Sequence, residues 1–392
     1  MKFTTFVTSK EDILACVAAP NLDEVLIEPR ELSREGRVTV EQAQELAQAA
    51  TAQGLKAVLV WDILMTQDEF KSRSKLVEAM DLNLFAAIRT QCPGAAMWVR
   101  SNRPDKALQF IVENSNHNMP GLKRWVAELS PQRMVLSTQL PEDKLIACCQ
   151  QLGVECEVLG AGKILLFYSK RHLLQANFGS DDDTADAHWI YADSASEESA
   201  SRPFPTIENE HGTFMYLNKD HFILDSLSRL DSAGLHTVRI DLRDLQTAGN
   251  AAQGIAELCQ MTVAQDPALD SAWSRPTSAP FFKRNRTDKQ FSRMKPQTRL
   301  LRDGNCVAEV VSVERGELLG LFTLREFDTQ GASFKFVAHD GSEVPVSLDR
   351  FTDISGNPLT SCTPHRIVRC PWIKGVKAGA ILVRDENREA IA

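Results

Sequence analysis

The sequence predicts an α/β protein: a (β/α)8, TIM-like barrel followed by a small antiparallel β-barrel domain. Three observations predict it. Short apolar runs alternate with longer amphipathic stretches up to about residue 250, the signature of βαβ units and a parallel sheet. Seven or eight such repeats favour a closed barrel over an open sheet. Beyond residue 302 the pattern changes to period-two alternation between turn signals, which suits a small antiparallel barrel.

The strands expected in the first part are EVLIEP (24–29), KAVLVWD (56–62), AAMWVRS (95–101), RMVLSTQ (133–139), VECEVLG (154–160), KILLFYS (163–169) and TVRIDLRD (237–244). Between them lie stretches such as TVEQAQELAQAATAQG, whose apolar spacing suits a helix closed by Gly54. The segment 180–205 is acidic, Ser-rich and ends in prolines, so a long solvated loop inserted between barrel units is expected. Residues 281–302 hold eight Lys or Arg against one Asp. The expected division is a barrel over 1–280, a basic linker over 281–302 and a β domain over 303–392. No internal repeat is visible.

Composition narrows the class. With 43% hydrophobic and 24% charged residues the chain is an ordinary globular one. No apolar run approaches the roughly 18 residues of a membrane span, and Lys10, Glu11 and Asp12 interrupt the N-terminus before a signal-like stretch can form, so a cytoplasmic location is the default. The net charge of −8 argues against indiscriminate nucleic-acid binding. Nine cysteines without a CxxC pair support neither a disulfide framework nor a zinc ribbon; Cys148 and Cys149 read as packing residues.

Local motifs carry little. GAGK at 160–163 lacks the first glycine of a phosphate loop, with Glu157 in its place, and Ile164 replaces the magnesium-binding hydroxyl. There is no HExxH, GxSxG or GxGxxG, and the eight histidines form no ligand spacing. Strand alternation says more. Glu155 and Glu157, two apart, point to one side of a strand, as do Arg239, Asp241 and Arg243. Turned into a barrel lumen, these five form a polar, ligand-sized catalytic site with perturbed pKa values. The alternative is a structural ion-pair network, or charges at the solvent margin of the helices.

The run RMVLSTQLPEDKLIACCQQLGVECEVLGAGKILLFYSKRHLL resembles the core of the collagenase-like peptidase family U32. Leu136-Ser137, Glu155, Glu157, Tyr168, Ser169, Arg171, Leu173 and Leu174 match its Leu-Ser, Glu-x-Glu and Tyr-Ser-x-Arg-x-Leu-Leu pieces, and Arg239, Asp241 and Arg243 fall on its Lys, Glu and Arg. The resemblance implies a substrate-binding rim at Tyr168, Ser169, Arg171 and His172. The last 90 residues look like the β-barrel appended to members that hydroxylate uridine in tRNA. Such members hold an iron-sulfur cluster on four cysteines. Two of these positions are Leu165 and His172 here, Lys170 and Gly160 or Ala161 also depart from the pattern, and the acidic insertion contains no cysteine, so no cofactor is expected.

Three function classes follow. The first is a cluster-free RNA-modifying, hydroxylase-like enzyme, with tRNA or another RNA held by Lys283, Arg284, Arg286, Lys289, Arg293, Lys295, Arg299 and Arg302 and stacked on Phe281, Phe282 and Phe291; that basic stretch reads equally as a solvated linker. The second is the peptidase of the family name, which no nucleophile-base motif supports. The third is a non-catalytic ligand-binding or scaffold protein, including a partner subunit of an active family member. No membrane partner is expected.

Overall fold

The computed structural model describes residues 1–113, 116–175, 189–195, 203–243, 252–283, 304–329, 333–338, 341–346 and 350–385. Two compact units divide the chain at Arg286 and Thr287.

The first unit is a closed parallel barrel. Its strands are β1 (Lys2–Val7), β2 (Leu22–Ile27), β3 (Lys56–Trp61), β4 (Ala87–Thr90), β5 (Ala107–Ile111), β6 (Arg133–Val135), β7 (Glu155–Gly162) and, eighth around the ring, β13 (Thr237–Ile240), which pairs with both β7 and β1. The helices α1 (Lys10–Val17), α2 (Val40–Ala52), α3 (Gln67–Ala79), α4 (Pro93–Asn102), α5 (Met119–Leu129) and α6 (Glu142–Gln151) connect the strands up to β7. Ser9, Thr39 and Thr66 start the first three with capping boxes, and Gly54, at φ +80°, turns the chain after α2.

Alternation along each strand separates two interiors. Phe3, Val25, Ile27, Leu59 and Trp61 pack outward under the helices, while Phe6, Leu26, Val58, Val60 and Ala87 form a smaller apolar cluster. The latter occupy the alternate positions of β1 to β4, so they fill one side of the lumen.

Two expected strands are corrected. Residues 95–101 lie in α4: Pro93 starts the helix, Ala95, Ala96 and Val99 turn inward at helical spacing, and Met97 stays 60% exposed. KILLFYS is not a barrel strand. After Gly162, at φ +140°, the chain leaves the ring, and β8 (Leu165–Ser169) exposes Leu166 and Phe167, which a strand inside the ring would bury. With β9 (Ile190–Ser194), β10 (Phe204–Asn209) and β11 (Gly212–Tyr216) it forms a separate antiparallel sheet in the order β8-β11-β10-β9. The solvated-loop reading of 180–205 is thereby corrected where the structure describes it, because residues 190–194 pair with 204–208; residues 180–188 and 196–202 lie outside the described residues. The strands β12 (Asp220–Phe222) and β14 (Thr277–Ser278) extend the barrel sheet beside β7.

The inserted sheet sits on the loops that follow β2 and β3. Asn209 Nδ2 donates to the Arg34 carbonyl at 2.8 Å, His211 Nε2 lies 2.5 Å from the Arg30 carbonyl, and the Leu64 amide donates to the Tyr168 hydroxyl at 3.0 Å. Arg37 lies 3.6 Å over the Trp189 ring and donates to the Tyr191 hydroxyl. These loops lie at the carboxyl ends of the strands, so the sheet covers the barrel mouth.

The second unit is antiparallel β. Its strands from β15 (Cys306–Glu314) to β24 (Ile381–Arg384) build one eight-stranded sheet and a two-stranded ladder. Phe327, Phe334 and Phe351 meet edge to face at its core, with centroids 5.5 to 6.4 Å apart. Cys306 aside, the cysteines are free thiols, and Cys148 and Cys149 pack against the barrel core. Among the described residues no helix is long and apolar enough to cross a membrane.

Candidate site at the barrel mouth

A polar residue on an inward position of a parallel barrel has no water to bond, so it must find its partner on another strand. Five strands supply such residues. Arg89 of β4 grips Glu157 of β7 with two bonds, Nη1 to Oε1 at 2.8 Å and Nη2 to Oε2 at 2.5 Å, and its Nε donates to Gln109 of β5 at 2.8 Å. Gln109 passes a bond of 3.0 Å to Glu24 of β2. Arg133 of β6 joins Glu24 at 2.6 Å, Glu157 at 3.3 Å and Glu155 at 2.9 Å.

Above this layer the mouth is lined by Arg239 and by residues that follow the strand ends. Arg239 of β13 bridges Glu157 at 3.6 Å and Glu113 at 3.2 Å. Arg34 binds Glu113 at 3.3 Å and Asp62 at 2.6 Å. Asp241 accepts a bidentate pair from Arg243 at 2.9 and 2.7 Å, and Arg243 also donates to Glu28 and stacks 3.4 Å over the Phe6 ring. Glu35 is held by Lys163 and by the Tyr216 hydroxyl at 2.8 Å. The remaining cavity measures about 60 Å³, room for a few water molecules. Among its lining residues in the described structure, only Arg239, 8% exposed, keeps a buried polar side-chain atom without a partner, its Nε.

The carboxyls of the mouth divide into two states. Burial pushes the Glu28 carboxyl up to about 7; the Arg243 charge opposes the rise, while Asp62, Glu35 and Asp241 add to it. Burial also acts against ionised Glu35, Asp241 and Glu113, but here the cations win. Lys163 and Arg243 bring Glu35 down to about 2, Arg243 holds Asp241 well below the usual carboxylate range, and Arg34 and Arg239 lower Glu113. A carboxyl that exchanges its proton near neutrality beside carboxylates that stay ionised is the arrangement general acid-base chemistry uses.

Of the residues singled out from the sequence, Glu157, Arg239, Asp241 and Arg243 come together in the lumen and its mouth. Glu155 does not: it lies at the opposite end of β7, paired with Arg133 and 3.4 Å from His236. Asp241 and Arg243 sit past the end of β13, not along it. Tyr168, Ser169, Arg171 and His172 are outside the lumen. Tyr168 stacks on Phe214 at 4.5 Å, Ser169 Oγ accepts from the Arg171 amide at 3.2 Å, Arg171 is exposed, and His172 Nδ1 lies 3.7 Å from Glu208 on the inserted sheet.

In the basic stretch Lys283 is exposed, but Phe282 is buried in the barrel core, where its carbonyl accepts from the Glu142 amide at 2.9 Å. It is therefore unavailable for stacking on a base. Arg284, Arg286, Lys289, Phe291, Arg293, Lys295, Arg299 and Arg302 lie outside the described residues.

Leu165 and His172, which the family resemblance aligns with cluster cysteines, carry no thiolate. Among the described residues no group of three or more His, Cys, Asp or Glu is placed to hold a metal ion. The side chains at these two described positions do not supply the thiolates an iron-sulfur cluster takes.

One contact joins Ser137 of the Leu136-Ser137 match to a histidine that no sequence motif singled out. His117 Nε2 lies 3.1 Å from Ser137 Oγ, just beyond β6. Ser137 is 2% exposed and also accepts from the Gln139 amide.

The sequence model of peptidase family U32 matches residues 21–277. The tRNA hydroxylation protein P2 of Bacillus subtilis is 24% identical over 239 residues, covering 60% of this chain and 77% of that protein. The tRNA hydroxylation protein P of Haemophilus influenzae is 23% identical over 238 residues, covering 48% of this chain; the match spans about half of that protein, 51%. Among solved structures, the C-terminal domain of a Geobacillus thermoleovorans U32 peptidase is 13% identical, covering 21% of this chain and 92% of that one, with a TM-score of 0.20. A further U32 peptidase is 10% identical, covering 42% and 70%, with a TM-score of 0.35.

Proposed function

The chain belongs to peptidase family U32, and from that premise we propose that it acts in RNA modification, as a relative of the tRNA hydroxylation proteins that works without their cluster at the mouth of its barrel. Arg239 carries the reading. Its buried Nε–H is left open beside the small cavity, and a buried donor without a partner is costly unless a ligand oxygen completes it. Around it, Arg34 and Lys163 supply further positive charge, while Glu28 supplies a proton near neutrality and Asp241 stays ionised. This chemistry can hold a small oxygen-bearing reactant and move a proton to or from it; because adding one oxygen to a nucleoside is a two-electron oxidation, that reactant must itself be the oxidant, a peroxide-level oxygen donor that leaves as water. That two relatives are tRNA hydroxylation proteins supports RNA as the other partner, as does the basic stretch that begins at Lys283.

The test is nucleoside mass spectrometry of tRNA from cells with and without the protein. A nucleoside heavier by one oxygen that disappears with the protein, and with Arg239→Gln, supports the reading; an unchanged nucleoside profile rejects it.

The contact between Ser137 and His117 favours a second reading, hydrolysis of peptides. A serine polarised by a histidine is a nucleophile, although Ser137 is almost fully enclosed. Cleavage of fluorescent denatured collagen by the wild type, abolished by Ser137→Ala and by His117→Ala, is its test.

A further inference from the structure

A second cavity, of about 340 Å³, adjoins the mouth on the far side of Lys163, which lines both. Its walls come from the inserted sheet (Tyr191, Pro205, Ile207) and from Leu217 and Pro276 beside β12 and β14. Lys163, Thr206 and Asp220 form its buried polar lining; Asp220 is fixed by Trp273 Nε1 at 3.0 Å and Arg275 Nε at 2.6 Å. Two further polar side chains on its rim, Asp193 and Asn218, are exposed and have no hydrogen-bond or ion-pair partner among the described residues.

Size assigns the two chambers different occupants. The lumen holds only a few waters, so a heterocycle cannot enter it without displacing an ion pair. The second cavity lies in the range of small-molecule sites, roughly 300–1,000 Å³. Its chemistry is specific as well. Flat walls of one tyrosine and two prolines suit a planar ring. A carboxylate that only accepts and a carboxamide that both donates and accepts suit the mixed edge of a nucleobase or the hydroxyls of a ribose. An enzyme acting on a base must take it out of the stack into such a pocket.

We propose that this cavity receives one nucleoside swung out of an RNA strand, with Asp193 and Asn218 on its polar edge and Lys163 forming the boundary with the reactant in the lumen. The proposal rests on the RNA reading above and adds where the nucleoside sits.

The test is fluorescence titration of the full chain with a single-stranded, uridine-rich RNA oligonucleotide carrying one 2-aminopurine, at low salt. Wild type is expected to bind and to change the 2-aminopurine emission. Ala192→Trp, which fills the cavity from β9, and the pair Asp193→Ala with Asn218→Ala should each weaken binding roughly tenfold and remove the emission change, with unaltered thermal melting. The paired variant decides the matter if the tryptophan variant fails to fold. Binding and emission unchanged in the variants would overturn the cavity assignment and leave the RNA reading standing. No binding by the wild type would overturn both.

Discussion

Arg89 and Glu157 face each other across the barrel lumen as a bidentate pair, and the lumen seals both side chains from solvent at 1% and 0% exposure. Such a pair is weak evidence for stability as a whole, because desolvation offsets much of its attraction, yet breaking it from one side strands a charge. Glu157 also balances Arg133 and Arg239. Glu157→Met is therefore expected to cost about 3–5 kcal/mol, and Arg89→Met a comparable amount. The double variant Arg89→Met with Glu157→Met should recover part of the loss. Urea unfolding monitored by circular dichroism measures all three, and additive losses in the double variant would contradict the pairing.

Glu28 ties the mouth to pH. Its carboxyl rises from 4.5 to about 7 on folding, first through burial, so between those values the folded protein keeps a proton that the unfolded chain has released. Its contribution is fully present below about 4.5 and is lost as pH rises through about 7. The loss is on the order of 1–3 kcal/mol. Glu35, lowered to about 2 by Lys163 and Arg243 against its burial, acts in the opposite sense, adding stability as pH rises from about 2 to 4.5. Burial lowers His221 to about 4 and so adds stability as pH rises over part of the same range. The test is therefore the difference: the melting temperature of the wild type relative to Glu28→Gln should fall from pH 4.5 to 8, whereas parallel curves would refute the assignment.

How much of this site the sequence discloses depends on where each residue stands. Period two within VECEV and VRI places Glu157 and Arg239 inside a barrel, because alternation is a local property of a strand. The same rule marks Glu24 in LDEVLI, Arg89 in AIRT and Gln109 in ALQFI as polar residues on otherwise apolar strands, and that signal was available for finding them. Arg34, Glu35, Asp62, Glu113 and Lys163 lie in loops, where no periodicity exists; only closure of the ring brings them together. KILLFYS misleads for a similar reason. Its composition is that of a buried strand, but the turn at Gly162 sends it to a sheet of its own, and local pattern cannot report which sheet a strand joins.

The inserted sheet is fastened by Arg37, whose guanidinium lies 3.6 Å over Trp189 and reaches the Tyr191 hydroxyl. Removing it in Arg37→Ala should loosen β9 and β10 locally by about 1 kcal/mol while the barrel strands stay protected. Hydrogen exchange resolved to peptides of 189–195 and 203–209 is the measurement. Faster exchange across the whole barrel would instead mean that Arg37 supports the global fold.

In the second unit, Phe351 meets Phe327 and Phe334 at centroid distances of 5.5 and 6.4 Å and is 1% exposed. Phe351→Ala should cost about 3–5 kcal/mol, and calorimetry should show it in the melting of that unit, with the barrel transition unshifted. A shift of the barrel transition would show that the two units unfold together.

Gly162 closes β7 at the point where the chain leaves the ring for the inserted sheet. Its φ of +140° is one that a side chain rarely adopts, and a Cβ there would come within 2.6 Å of the Asp241 Cβ and 2.9 Å of its carbonyl oxygen. Gly162→Ala thus presses on the residue that holds Arg243, through it on Glu28, and on the start of the segment carrying Lys163. Backbone strain of this kind costs about 1–3 kcal/mol, so the melting temperature should fall. The more telling effect is on function. Because Asp241 must move, the RNA-modification proposal expects the change in tRNA nucleosides to be lost even at temperatures where the variant remains folded. Gly54→Ala, with the same sign of φ but no neighbour within 4 Å of its Cβ, should lose stability alone. Equal behaviour of the two variants would show that the close approach of Gly162 to Asp241 has no part in the proposed activity.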